Sequence, residues 1–368
     1  MSYSNFFSKE KIFLREGRKF DRLKKNKQMS KKLGTAVNIP SRKTVQSLTD
    51  YYQSGDLIKA SLLATSVTEK FPNYDYAWKI LVAALNGMGR YSEALTANQQ
   101  AIKFSPNDHQ SHSNLGALLL KLGRPNEAMA SCNRAISLES NFAQAHYNLA
   151  NSLKDLDKLN EAILSYTHAV NLNPNYFEAH YNLGNSLHDA DRLDEAEASY
   201  RQALAINPNF VLVYKNLGLL FTKRKQYDKA KEYYNKASML DPDFVDAKFE
   251  LALLFILEGQ FNSGFELYET RYHPNTTDRQ AIPPKISTPQ YQGKDLSLDI
   301  RGKHLLICSE QGVGDEAMFA SVLPELAIVM KQDPNTRITL ACEPRLVELF
   351  NRSFDFLTAI PKPENHEY

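Results

Sequence analysis

The sequence predicts a mainly α chain, a right-handed superhelix of stacked helix pairs followed by the opening half of a doubly wound α/β unit. Three observations carry this reading. A 34-residue self-similarity runs from Ser41 to about Tyr272. Small residues and prolines recur at fixed places inside it. Beyond a proline-rich stretch, apolar runs alternate with helical patterns around a glycine-rich turn.

The first element, residues 1–40, is a basic arm. It holds 11 Lys/Arg against 3 Asp/Glu, a net of +8, while the rest of the chain carries a net of −6. Phe6, Phe13 and Phe20 recur every seven residues among these charges. A solvated, partly helical leader is one reading. A basic amphipathic helix on an anionic membrane surface is another. Contact with nucleic acid is a third and weaker one.

The second element, residues 41–272, is seven repeats. Blocks begin at Ser41, Asp75, His109, Ala143, Phe177, Val211 and Val245. Block position 20 reads Ala60, Ala94, Ala128, Ala162, Ala196, Ala230 and Gly264. Position 27 is Ala from Ala101 to Ala237, and position 32 is Pro in five blocks. Small side chains let paired helices approach closely, and Pro ends the second helix of each pair. Leu at position 7 and Tyr at position 24 fill the space between helices. One helix pair cannot bury its apolar faces alone, so neighbouring repeats must stack.

This pattern resembles the tetratricopeptide family. Segments such as Ala145-His146-Tyr147-Asn148-Leu149-Ala150-Asn151 are similar to the repeats of O-linked N-acetylglucosamine transferases. Asn114, Asn148, Asn182 and Asn216 share position 6, and Asn151 and Asn185 lie three residues further on along the same helix face. The resemblance implies that this row grips the backbone of an extended peptide, since a carboxamide both donates and accepts. The alternative is that these side chains bond to carbonyls within the scaffold. His112, His146 and His180 also recur, but adjacent helices are about 8–10 Å apart and zinc ligands must sit about 2 Å from one ion. The sequence therefore predicts no metal there, and a packing role between repeats.

A proline-rich linker, residues 273–296, precedes the last element, residues 297–368. Strands are expected at Lys303–Cys308, Arg337–Cys342 and Phe356–Ile360, with helices at Ala317–Met330 and Arg345–Asn351. Gly312-x-Gly314-x-x-Ala317 lacks the acidic residue that a dinucleotide site needs about 20 positions on. The run Tyr268-Glu269-x-Arg271-Tyr272, Gly302-Lys303-His304-Leu305-Leu306 and Glu310-Gln311-Gly312-x-Gly314-Asp315-Glu316 resembles bacterial repeat-linked glycosyltransferases of the GT-B fold. The Gly-Asp turn is also similar to heptosyltransferases. That resemblance implies a partial Rossmann-like unit, the N-terminal part of a GT-B domain. In it Asp315 would be the catalytic base, and Glu310, Gln311, Gly312 and Gly314 would shape the acceptor site.

Cys132, Cys308 and Cys342 match no metal or redox motif, no apolar run reaches membrane-spanning length, and no secretory signal is seen. A cytoplasmic protein is expected. The functional expectation is a peptide-binding scaffold joined to an incomplete sugar-transfer domain. It needs no cofactor, a nucleotide-sugar donor being expected only in a full-length enzyme, and the 368-residue chain alone would be inactive. The alternative is a non-catalytic interaction scaffold.

Overall fold

In the computed structural model the described residues are 39–268, 270, 304–308, 335–342 and 344–361. The chain divides into two units, Met1–Arg224 and Lys225–Tyr368, taken here in turn. The arm up to residue 38, the linker and the expected helix at 317–330 lie outside the described residues.

The described part of the first unit is built of helices: α1 (Arg42–Gln53), α2 (Leu57–Lys70), α3 (Asp75–Gly87), α4 (Tyr91–Phe104), α5 (His109–Lys121), α6 (Pro125–Leu138), α7 (Ala143–Asp155), α8 (Leu159–Leu172), α9 (Phe177–Asp189), α10 (Leu193–Ile206) and α11 (Val211–Lys223). Each first helix packs on its second, α5 on α6, α7 on α8 and α9 on α10. Each second helix packs on the next first helix, as α6 does on α7 and α8 on α9. The residues at the contact explain why. Ala94, Ala128, Ala162 and Ala196 have no exposed surface, and Tyr166 and Tyr200 are buried beside them. A methyl group on Gly184 would lie 2.6 Å from the Tyr200 ring, so only glycine fits opposite that tyrosine.

The turns inside the pairs share one geometry. Position 15 has positive φ in Gly55, Gly89, Gly123, Asp157, Asp191, Lys225 and Gly259. The amides of Arg90, Arg124, Lys158, Arg192 and Gln260 then donate back to the carbonyl of position 11, Arg90 to Leu85 at 2.9 Å and Arg192 to Leu187 at 2.8 Å. This left-handed closure satisfies the helix C-terminus without a side-chain cap. Position 16 adds a fork: the Arg90, Arg124 and Arg192 guanidiniums each donate two bonds to the glutamate three residues on.

A second device closes the junction between pairs. The side chain at position 4 reaches the carbonyl of position 32 in the preceding block. Trp78 Nε1 donates to Pro72, Tyr214 Oη to Pro208 and Lys248 Nζ to Pro242, at 2.8, 2.9 and 2.8 Å. His112, His146 and His180 do the same through Nε2, to Pro106, Ser140 and Pro174. The three histidines expected to pack between repeats thus each hold a turn shut by a hydrogen bond as well.

Ion pairs join position 21 of one block to position 14 of the next. In the first unit Glu197 pairs with Arg224, which also reaches Asp194 at 2.5 Å. In the second unit the charges are exchanged, Lys231 pairing with Glu258 at 3.1 Å.

The second unit contains α12 (Tyr227–Leu240), α13 (Val245–Leu257) and α14 (Phe261–Tyr268). It also contains β1 (His304–Cys308), β2 (Arg337–Cys342), α15 (Pro344–Ser353) and β3 (Thr358–Pro361). The strands form a parallel sheet in the order β1-β2-β3. Ile338, Leu340, Leu346, Phe350, Leu357 and Ala359 make its core. The Asn351 carboxamide donates to the Ala359 carbonyl at 2.9 Å and accepts from its amide at 2.7 Å, tying α15 to β3. β3 starts at Thr358 rather than at the expected Phe356, whose side chain instead packs against the core below the turn.

Two stability measurements check this account. Lys225 holds φ at 57°, a left-handed conformation that costs a non-glycine residue about 1 kcal/mol. Lys225→Gly should therefore stabilise the protein by about 0.5–1 kcal/mol in urea unfolding, and Gly123→Ala should lose about 1 kcal/mol.

The second measurement concerns His188, whose Nε2 is buried with no hydrogen-bond partner among the described residues. Burial, and then the Lys223 charge, hold its pKa below the ordinary 6.5, with Asp189 and Asp191 pulling the other way. A depressed histidine pKa means the unfolded chain takes up the proton first, so stability falls as pH drops below the ordinary histidine range. His188→Gln should flatten that fall between neutral pH and about pH 5. Parallel curves for the two proteins would refute the assignment.

Candidate functional site

The asparagine row lies on the first helices, and its side chains are wired across the repeat interfaces. In one node Asn182 Nδ2 donates to the Tyr147 hydroxyl oxygen at 3.1 Å and to Asn151 Oδ1 at 3.3 Å. Tyr166 Oη donates to the same Asn151 oxygen at 2.5 Å. One period later Asn216 Nδ2 donates to Asn185 Oδ1 at 2.7 Å and to Tyr181 Oη at 3.5 Å, and Tyr200 Oη donates to Asn185 at 2.8 Å. Burial pushes the Tyr147, Tyr166 and Tyr200 phenols up, so all three keep their protons at neutral pH.

Asn148 is sealed. Its Nδ2 donates to the Ser113 carbonyl and hydroxyl, both at 3.1 Å, its Oδ1 accepts from Gln144 at 3.3 Å, and 3% of it is exposed. Asn114 is buried as well. These two amides face the interior, which corrects the expectation of one open row over four repeats. The cause is the neighbour at position 5. Ser113 is short enough for Asn148 to reach the helix backbone, whereas Tyr147 and Tyr181 intercept Asn182 and Asn216 at their own hydroxyls.

The interior bonds also fix which way the half-buried amides point. Asn151 and Asn185 turn their oxygens inward, to a tyrosine hydroxyl and to the next asparagine of the row. Asn182 and Asn216 turn their nitrogens toward the same nodes. The four amides form a half-buried row along α7, α9 and α11. The sequence reading missed Tyr147 and Tyr181 as partners, although both sit at position 5 with the same period.

Elsewhere little chemistry is offered. Among the described residues no three His, Cys, Asp or Glu side chains are grouped to hold a metal ion. Cys132 is free and buried, and burial pushes its thiol up to about 12, so it is a packing residue. No helix among the described residues is long and apolar enough to cross a membrane. Glu310, Gln311, Gly312, Gly314 and Asp315 lie outside the described residues.

Comparison with known proteins agrees with the helix pairs. Tetratricopeptide repeat models match residues 109–142, 177–210 and 211–244, and a further TPR repeat model matches 84–123 and 150–191. Protein FlbA of Caulobacter vibrioides is 42% identical over 92 residues, which are 24% of this chain and 14% of that protein. The chain thus spans about one seventh of the curated relative it matches. Among solved structures, MamA is 26% identical over 44% of this chain and 95% of its own, with a TM-score of 0.41. A chain of the APC/C hetero-tetramer Cut9-Hcn1 superposes over 62% of this chain and 46% of its own, at 16% identity and a TM-score of 0.53, a likeness of fold. With the period, the paired helices and the repeat models in agreement, residues 84–142 and 150–244 of the chain carry tetratricopeptide repeats.

Proposed function

We propose that the repeat region is a protein-binding scaffold that holds an extended polypeptide along the first-helix face of α7, α9 and α11. The observation that carries this is the half-buried row Asn151, Asn182, Asn185 and Asn216, each amide held in one orientation by hydrogen bonds to its neighbours. An extended backbone presents amide hydrogens and carbonyls in alternation. A row of pre-oriented carboxamides meets it with little loss of side-chain freedom. Asn114 and Asn148 contribute to the scaffold rather than to the ligand.

The inward bonds make an alanine scan ambiguous, because it would strand the Tyr166 and Tyr200 hydroxyls at about 1–3 kcal/mol each. Asp is the cleaner substitution. Asn151→Asp with Asn185→Asp keeps the inward oxygens and replaces each amide nitrogen by a second oxygen. The double variant should unfold within about 0.5 kcal/mol of the parent, yet bind a fluorescent unstructured peptide about tenfold more weakly in anisotropy titrations. Equal binding would overturn the reading.

A second reading adds sugar transfer. Its support is the parallel order β1-β2-β3 with α15 between β2 and β3, an arrangement that opens many nucleotide-binding sheets. On this reading the repeats present an acceptor, and Asp315 serves as the base that takes its hydroxyl proton. The test is transfer of a labelled sugar from nucleotide donors by the natural protein at full length, before and after Asp315→Asn. Transfer that survives the substitution would remove Asp315 from the chemistry, and no transfer at all would remove the reading.

A further inference from the structure

We infer that Ser113 closes one end of the peptide site, leaving two amide nodes that take an extended segment of about six residues. The inference rests on the peptide-binding reading above, to which it adds a length and the residue that decides it. The asparagines of the row fall into two groups. Asn151, Asn182, Asn185 and Asn216 are half-buried, whereas Asn114 and Asn148 have only 6% and 3% of their surface exposed. Asn148 Nδ2 is engaged by the Ser113 carbonyl and hydroxyl, and its oxygen accepts from Gln144. With its nitrogen held twice and almost no exposed surface, it has nothing to offer a ligand.

Position 5 of the preceding first helix decides between the groups. A tyrosine hydroxyl stands a ring's length from its helix, so Asn182 and Asn216 are met away from the helix backbone and stay half-buried. The Ser113 hydroxyl lies against its own helix, so Asn148 is drawn down to the backbone. Position 9 acts in the same sense. Asn151 and Asn185 there accept from the next repeat's amide at 3.3 and 2.7 Å, whereas α5 has Ala117 at that place and α3 has Ala83. A third node, between α5 and α7, therefore lacks both of its parts. At the other end α11 has Leu219 at position 9, and the following block has Glu250 and Leu253 at the two amide positions.

The length follows from the helix spacing. The bonds from Asn182 to Tyr147 and Asn151, and from Asn216 to Asn185, make α7, α9 and α11 direct neighbours. Packed helices are about 8–10 Å apart, so the outer two axes are separated by about 16–20 Å. An extended chain rises about 3.3 Å per residue, and about five or six residues cover that distance. A three-residue peptide reaches one node, and a six-residue peptide reaches both. A residue beyond α7 would pass over α5, where Asn114 is buried, and would gain no amide bond. Carboxamides bind backbone groups, so the property the row selects is the length of extended backbone.

The test uses the full chain with ¹⁵N-labelled asparagine, read by NMR, and neutral acetylated, amidated peptides of three, six and twelve residues. The two longer peptides should shift the side-chain amides of Asn151, Asn182, Asn185 and Asn216 and leave those of Asn114 and Asn148 in place. Affinity should rise at least about tenfold from three residues to six. From six to twelve it should gain only what the extra registers supply, less than about tenfold. Shifts at Asn114 or Asn148, or a larger gain from six to twelve, would overturn the boundary and leave the peptide reading intact. Binding of none of the three would overturn both. Ser113 has no exposed surface, so these measurements on the parent chain come first. Ser113→Tyr with Ala117→Asn then builds the third node, and in the folded double variant Asn148 should join the shifting amides. A folded variant in which Asn148 stays silent would overturn Ser113 as the residue that decides the length.

Discussion

The distance between helices within a pair governs the rest of this structure. Position 20 is alanine, with no exposed surface from Ala60 to Ala230, and Gly184 leaves no room for even a methyl group against Tyr200. Such close approach lets Tyr166 and Tyr200 cross from the second helix to the first, where their hydroxyls reach Asn151 and Asn185. A larger residue at either small position would push the tyrosine out and break the polar node with it. The orientations of Asn151 and Asn185 are thus a downstream result of a van der Waals contact in the core.

Two kinds of bond then convert stacked pairs into a defined array. Within a pair, the left-handed residue at position 15 ends the first helix. Between pairs, the donor at position 4 holds the preceding turn. Neither depends on one residue type. Trp, His, Tyr and Lys all serve at position 4 because only a donor at the right height is required. The interface chemistry can therefore vary from block to block while the spacing of the helices does not.

How much of this was legible follows from that distinction. The helix period, the small residues and the prolines could be read because each needs a particular residue type. The position-4 bond was missed because the eye follows identity, and identity there reads as three scattered histidines. The positive φ at Asp157, Asp191 and Lys225 was equally hidden, since only Gly55, Gly89, Gly123 and Gly259 announce it. For the site, the stripe of asparagines was visible but its division was not: whether an amide is sealed or presented depends on Ser113 against Tyr147 in the neighbouring helix. The three parallel strands were legible from their apolar runs, and the start of β3 was misplaced because Phe356 is apolar for packing rather than for pairing.

The exchanged ion pairs bear on how such an array can grow. Glu197 meets Arg224, and one block later Lys231 meets Glu258. The block 211–244 thus carries a cation at both of its contact positions, Arg224 facing backward and Lys231 facing forward. A tandem copy of that block would set Lys231 against a second Arg224, two like charges in a partly buried place. Duplication by unequal recombination is the ordinary route by which repeat genes lengthen, and here it would meet a repulsive seam. At these contacts the charge pattern therefore disfavours a tandem copy of the block, with Asp228, the equivalent of Asp194, left to offset part of the repulsion.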